Sequence, residues 1–454
     1  MVRQLGDDSF KPISSLNYLK NVGNTTINID LQELTEDSTY HFEYEATLPG
    51  SNKKFKKASG QFKTFKNLQN EFKFVASSCS RSQSESSVFS QIDKKDPNFI
   101  INLGDLHYSA RNRSKKNDFI LSYHEIFKSP VQRSLYQKYP LIYTFDDHDF
   151  GSNNADALSG SGEFANQAYR DIIPSYELAN NGVYQKFKVG KVQFLLIDAR
   201  TFKNTFYENS TTQTNLGIDQ LNWLKDSITE AANDQETEGV VLLLAFPWYS
   251  KREWNETTTF HEKLEIANLI EDLGFNTPKL KNKFLVMISG DTHMLSYDSG
   301  PRNQYGHFPI FQCSPLDSKP SCKQGGYGGD IYLSRGQYCV FDVTKHQSDS
   351  SRSCLNFQGF VQDKQVMDFN TCNDLHIKET QDFIEYYHQL SLNETISQQD
   401  RDYGWVRYDM LISGSWCPVT PKVKLQALFA LFGLFMFILT SYNVIRNICY
   451  VRVE

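Results

Sequence analysis

The chain has 454 residues, 39% of them hydrophobic and 14% aromatic, including 33 Phe and 24 Tyr. That is ample material for a large core and excludes global disorder. The net charge of −6 and the lack of a long basic run argue against a nucleic-acid-binding surface, and a mean hydropathy of −0.50 excludes a multi-span transporter.

In chain order, residues 26–66 read as strands, with Ile27, Ile29 and Leu31, then Tyr40, Phe42 and Tyr44, alternating with polar residues. Leu34-Thr35 followed by Thr39-Tyr40 suits the corner of an immunoglobulin-like or fibronectin-like sandwich, where a Tyr hydroxyl ties back to upstream backbone. Such a sandwich needs about seven strands and about 100 residues. Residues 1–68 are therefore expected to be a partial β-sandwich, with upstream strands and a signal peptide missing from this chain. No signal peptide is visible in its first 20 residues.

From residue 71 the pattern changes to short apolar runs at 72–76, 99–103, 141–145, 192–197, 240–245 and 284–288, with helical stretches such as 221–232 and 262–273 between them. This predicts a layered α/β body over 69–345 with polar residues at strand ends, where such sheets place ligands. Five strand-end clusters stand out: Ser78-Cys79-Ser80; Gly104-Asp105-Leu106-His107-Tyr108; Asp146-Asp147-His148-Asp149-Phe150-Gly151 with Asn153 and Asn154 beyond; Asp198-Ala199-Arg200; and Gly290-Asp291-Thr292-His293.

Taken singly, each cluster has an ordinary reading. A Gly-Asp after a strand is usually a turn, Cys79 a buried thiol, His107 or His148 a packed histidine, and Arg200 half of a salt bridge. Together they point to metal binding. A carboxylate at the end of a buried strand is costly to desolvate unless paired or metal-bound. Converging Asp and His groups suit two cations that clamp an in-line attack on phosphorus. Thiolate and phenolate favour a stronger Lewis acid than magnesium, such as iron; carboxylate and amide oxygens suit calcium or magnesium. Arg200 offers the forked donor that phosphate oxygens prefer.

Toward the C-terminal part of the body, Cys313, Cys322, Cys339, Cys354, Cys372 and Cys417 allow 15 disulfide connectivities, and residues 346–421 read as a Cys-containing extension and stalk. Residues 425–445 carry no charge and are long enough to span a bilayer, so a transmembrane helix is expected at 422–447, with a short tail at 448–454. The charged tail argues against a cleaved glycolipid signal. Two flanking cations on each side leave orientation open. Asn-x-Ser/Thr triplets at Asn24, Asn112, Asn209, Asn255 and Asn393 favour a lumenal or extracellular body. The expected localisation is thus a single-pass membrane protein.

The joint order Ser-Cys-Ser, Gly-Asp-x-x-Tyr, Asp-Asp-His-Asp, Asp-x-Arg and Gly-Asp-Thr-His resembles the alkaline phosphatase D (PhoD-like) family of metallophosphatases. The run from Asp146 through Asn154 is its most specific part, and Gly217-Ile218-Asp219-Gln220-Leu221-Asn222-Trp223-Leu224 is similar to the family's Gly-x-x-Gln-x-x-Trp-Leu helix start. The resemblance implies a four-layer α/β/β/α sandwich and hydrolysis of phosphomonoesters or phosphodiesters. It implies two or more metal ions, Fe3+ and Ca2+ or other divalent ions. Cys79, Asp105 and Tyr108 would hold the iron, Asp105 would bridge to the calcium, Asp291 and His293 would form the last metal motif, and Asp147 and Asn153 would be further ligands. His148 would protonate the leaving group or stabilise charge on the phosphoryl oxygens. Arg200 would grip phosphate. Hydroxide would attack phosphorus directly, without a covalent phosphoenzyme. The expected substrate is a small-molecule or lipid phosphoester. A diester-specific phosphodiesterase acting on lipids or nucleotides, and a non-catalytic membrane receptor that kept the fold, are the alternatives.

Overall fold

The computed structural model describes residues 2–4, then 31–66 apart from 32, 48–49 and 51–53, then 71–372 apart from 110–112, 205–212, 251, 255–257, 302, 304, 322–326, 328–330 and 350–351. The expected stalk beyond 372, the transmembrane segment, the tail and all five Asn-x-Ser/Thr sites lie outside the described residues, as do Cys322 and Cys417. Among the described residues no helix is long and apolar enough to cross a membrane.

The first strands, β1 (Val2–Gln4), β2 (Thr39–Thr47) and β3 (Lys54–Lys63), form an antiparallel three-stranded sheet in that order. Tyr40 makes the tie expected of it: the Thr35 N–H donates to its hydroxyl at 2.8 Å, while its ring stacks on Phe62.

Next in the chain come β4 (Phe72–Ser77), β5 (Phe99–Leu103), β6 (Leu141–Thr144), β7 (Gln185–Val189), β8 (Val192–Ile197), β9 (Gly239–Leu244), β10 (Phe284–Ser289), β11 (Leu295–Asp298) and β12 (Ile310–Cys313). The last are β13 (Gln337–Lys345), β14 (Ser353–Val361) and β15 (Lys364–Asn370). They make two six-stranded sheets, ordered β15-β14-β13-β4-β5-β6 and β11-β12-β10-β9-β8-β7. Each sheet has a parallel block, β4-β5-β6 forming one half of the first and β8-β9-β10-β12 the middle of the second. Their near-continuous apolar runs reflect burial on both faces.

The inner faces pack on one another through an aromatic seam. Phe74 stacks on Phe99 and Phe341 at 5.3 and 4.9 Å, and Phe311 packs on Phe357 at 4.4 Å. Alternate residues face outward. Leu195, Val240, Leu242 and Leu285 meet helices α6 (Ile218–Asn233) and α7 (Phe260–Leu273) on the second sheet. Val75, Ile100 and Val340 meet α1 (Val88–Asp93) and α3 (Pro130–Tyr136) on the first. Helices α2 (Lys116–Lys128) and α5 (Gly162–Ile172) pack beside β6, and α4 (Asp147–Phe150) is a single turn following it. The result is the four-layer α/β/β/α sandwich expected.

The boundary placed after residue 345 is corrected. β13 and β14 pair over nine residues and β15 adds the edge, so 353–370 complete the first sheet rather than begin an extension. Two disulfides are seen among the described residues. Cys354–Cys372 closes the edge hairpin, and Cys313–Cys339 joins β12 of one sheet to β13 of the other. The second bridge closes a loop of 26 residues, for which chain-entropy arguments give about 3.5 kcal/mol. Replacing Cys313 and Cys339 together by Ala is expected to lower the unfolding free energy by about that amount in urea denaturation. An unchanged midpoint would mean that the bridge contributes nothing to holding the sheets together.

Candidate metal centre and active site

The parallel strands deliver their C-terminal ends to one edge of the sandwich, and sharp backbone turns there aim side chains inward. Cys79, Asp105, Asp291 and His293 all sit in the left-handed region, at φ of 61°, 51°, 58° and 56°. This costs non-glycine residues energy and persists where surrounding structure enforces it. Two glycines allow the loops to touch. A Cβ on Gly104 (φ 90°) would fall 2.4 Å from the Asp146 Cβ. One on Gly290, from the second sheet, would fall 2.7 Å from the Leu103 carbonyl of the first.

The loops bring together three overlapping groups of donor atoms, each group lying within 4.8 Å: Cys79, Asp105 and His293; Asp105, Asp147 and His148; Asp146, Asp147 and Asp291. Asp105 belongs to two groups and Asp147 to two, so the donors form one continuous chain. Tyr108 joins at the first group. Its hydroxyl donates to Asp105 Oδ2 at 2.7 Å and lies 2.8 Å from His293 Nε2. The His148 backbone N–H donates to Asp105 Oδ1 and Asp147 Oδ1, at 3.2 and 2.9 Å. Asn153 is exposed, and its side chain hydrogen-bonds His148.

The donor set fits a cation. His293 Nδ1 lies 2.5 Å from the Lys319 carbonyl, which can only accept, so the ring proton is on Nδ1 and Nε2 presents its lone pair. Around the first group, a carboxyl, a phenol oxygen, a thiol and that lone pair converge. Burial, then the charges of Asp147 and Asp146, push Asp105 well above the usual carboxylate range. Burial raises Asp146 to about 7 against the pull of Arg200, and Asp149 to about 7. Burial, then Asp105, also raises the Cys79 thiol, and burial raises Tyr108. Asp147 is held below its usual value although burial opposes this, because the charges of Arg200 and His148 face it. So much buried acid is what bound cations would neutralise.

Three features were not legible in the motifs. First, Arg200 is 1% exposed and its Nε donates to Asp146 Oδ1 at 2.6 Å, with Nη2 on the same oxygen. The guanidinium expected to grip phosphate is thus largely engaged by Asp146. Its buried Nη1 and Asp146 Oδ2 have no hydrogen-bond partner among the described residues. Second, Asp149 is a clasp, accepting the backbone N–H of Leu106 at 2.9 Å and of Asp146 at 3.0 Å, which fixes two donor loops to one another. Third, Arg113 lies at the rim. It is half-buried, its Nη2 donates to the Ser109 carbonyl at 2.9 Å, and its charge is felt by Asp149, Asp105 and Asp147. Only its position in a loop rich in basic residues hinted at this. His107, by contrast, is fully buried against Tyr123, and burial pushes it down to about 3; it is a neutral packing residue.

A six-over-six α/β/β/α sandwich with acidic, thiol and imidazole donors at one strand edge defines the metallophosphatase type of architecture. Residues 74–308 match the PhoD-like phosphatase family, and the chain belongs to that family, whose members are metal-dependent phosphoester hydrolases. Among solved structures, one titled "Structure of PhoD" is similar at a TM-score of 0.51 and 14% identity, covering 79% of this chain and 84% of that one. Purple acid phosphatase PPD1 from yellow lupin (Lupinus luteus) seeds gives a TM-score of 0.46 at 12% identity, covering 75% of this chain and 60% of that one. No curated protein sequence matches the chain.

Proposed function

We propose that the chain hydrolyses phosphoesters at the Cys79–Asp105–Asp147–Asp291 cluster by direct in-line attack, with two cations held by these residues and Asp105 shared between them. The observation that carries this reading is the overlap of donor groups at Asp105 and at Asp147. Bound cations, iron and calcium in the reading carried over from the family resemblance, would supply Lewis acidity at the phosphoryl oxygens and activate water.

The protein's own groups do the rest. Cys79, Asp105, Tyr108 and His293 hold one side of the site; Asp147 and Asp291, with Asn153 near, hold the other. Arg200 pulls Asp146 toward its ionised form and fixes it in place. His148 packs on Tyr108, whose ring centroid is 4.4 Å from its own; burial holds its imidazole below the ordinary value, and the opposing charge of Asp147 helps it carry the proton it hands to the leaving oxygen. Arg113 meets the non-reacting oxygens of the substrate. In this proposal the substrate is a small-molecule or lipid phosphoester, and residues 422–447 hold the body to a membrane on its lumenal or extracellular side.

The test is hydrolysis of an aryl phosphate monoester beside the matching diester by the full-length chain in detergent, loaded with iron and calcium. Turnover that is lost in Asp105→Asn is expected, and the ratio of the two rates assigns the ester class. A folded, metal-loaded chain without turnover would favour the receptor reading instead.

Arg113→Ala is expected to raise KM by roughly 10–100-fold, the value of one or two charge-assisted hydrogen bonds, while metal content stays the same. Unchanged kinetics would place Arg113 outside the substrate site.

A further inference from the structure

We propose that the turn at 314–321, clasped by Asp317, is a positioning device for the Cys79–Asp105–His293 group: it sets the spacing of Cys79 from His293 and the tautomer of His293. The inference rests on the functional reading above, and it concerns residues beyond the 74–308 match.

The donors of this group arrive from both sheets, Cys79 after β4 and His293 after β10, and the turn touches both loops at once. Toward Cys79, the Leu316 N–H donates to the Ser78 carbonyl at 2.8 Å and the Ser318 N–H to the Cys79 carbonyl at 3.2 Å. Toward His293, the Ser321 N–H donates to the His293 carbonyl at 3.0 Å and its hydroxyl to the Thr292 carbonyl at 3.1 Å. The Lys319 carbonyl receives the His293 Nδ1–H, and the Ser318 hydroxyl lies 3.5 Å from the same nitrogen and also hydrogen-bonds Tyr108.

The turn is in turn held by Asp317, which is 2% exposed. Its Oδ1 accepts the Arg81 N–H at 2.6 Å, its Oδ2 accepts the Ser84 hydroxyl, and Arg81 Nε is 3.6 Å away. At its root, Gln337 donates from its backbone to the Pro315 carbonyl at 3.0 Å. A carbonyl on one ring nitrogen leaves the other as the lone-pair donor, and such outer partners set both ring orientation and ligand basicity. Moving the turn would let the imidazole rotate or change tautomer, while leaving every ligand residue in the sequence.

The experiment uses the full-length chain in detergent. Without metal, selective ¹⁵N-histidine labelling reports the His293 tautomer, its signal assigned by its loss in His293→Gln. Co²⁺ alone, titrated against a chelator, is then followed by the thiolate-to-cobalt absorption of Cys79. Wild type is expected to show Nδ1–H at His293 and to bind Co²⁺. Asp317→Ala is expected to show mixed tautomers and bind roughly 10–100-fold more weakly. Ser84→Ala loosens the same clasp from the other side; it serves if Asp317→Ala does not fold, and should weaken binding in the same direction. A single Nδ1–H tautomer and wild-type Co²⁺ affinity in a folded clasp variant would overturn the proposal and leave the phosphoesterase reading intact. Failure of wild type itself to bind Co²⁺ through Cys79 would remove that reading, and this inference with it.

Discussion

Asp105→Asn is expected to abolish turnover while making the cation-free protein more stable. The two effects have one cause. Asp105 is buried within a crowd of carboxylates, and both burial and the charges of Asp147, Asp146 and Asp149 disfavour its ionised form. Asn carries neither that charge nor the need to take up a proton to avoid it, so the cost disappears. Asn also tolerates the left-handed backbone at this position, so the loop keeps its shape. Each kcal/mol of relieved cost should raise the cation-free melting temperature by about 1–2 °C for a body of this size. The same substitution takes a shared ligand from both sides of the site, so stabilisation by added metal and hydrolysis should both disappear. Thermal melts with and without metal, run beside the phosphatase assay, check this. A variant that retains near-wild-type turnover would refute the shared-carboxylate arrangement.

His148→Ala is expected to lower turnover roughly 10²–10⁴-fold with metal content unchanged. Its backbone N–H, which binds Asp105 and Asp147, survives the substitution, so only the imidazole is removed. The loss should be largest for alkyl phosphates and shrink for aryl phosphates with acidic leaving groups, because those need no proton. An equal loss for both kinds of ester would argue against proton donation. Loss of metal would instead make His148 a ligand, as its grouping with Asp105 and Asp147 would allow.

The parts of the fold legible in the sequence are those written in local pattern. The central strands are buried on both faces, so β5, β8 and β10 stand out as apolar runs bounded by Gly and Asp. The donors sit immediately after them because strand ends are where a polar side chain can point out of the sheet. The edge strand β15 was harder to see. Its Lys364–Asn370 run is mostly polar and exposed, and the nearby cysteines suggested a separate module. The Asp146–Arg200 pair crosses 54 residues and the Asp317 clasp more than 230. Contacts of that kind have no signature in spacing. Arg200 illustrates the cost: its residue type suits phosphate, but its location gives it first to a buried carboxylate.

The disulfide across the two sheets has a consequence for how the protein is made and handled. Among the described residues, Cys313, Cys339, Cys354 and Cys372 must be oxidised in pairs, while Cys79 must stay a thiol. Cys79 is fully buried and burial suppresses its thiolate, the form that attacks disulfides and oxidants, so the fold shelters it from exchange once closed. Before closure nothing distinguishes it from its neighbours. A recombinant preparation is therefore pulled two ways: a reductant that rescues mispaired Cys79 also cuts the seam, and an oxidant that restores the seam endangers Cys79. Refolding in a balanced thiol–disulfide buffer, with metal added only after the sandwich has closed, satisfies both demands.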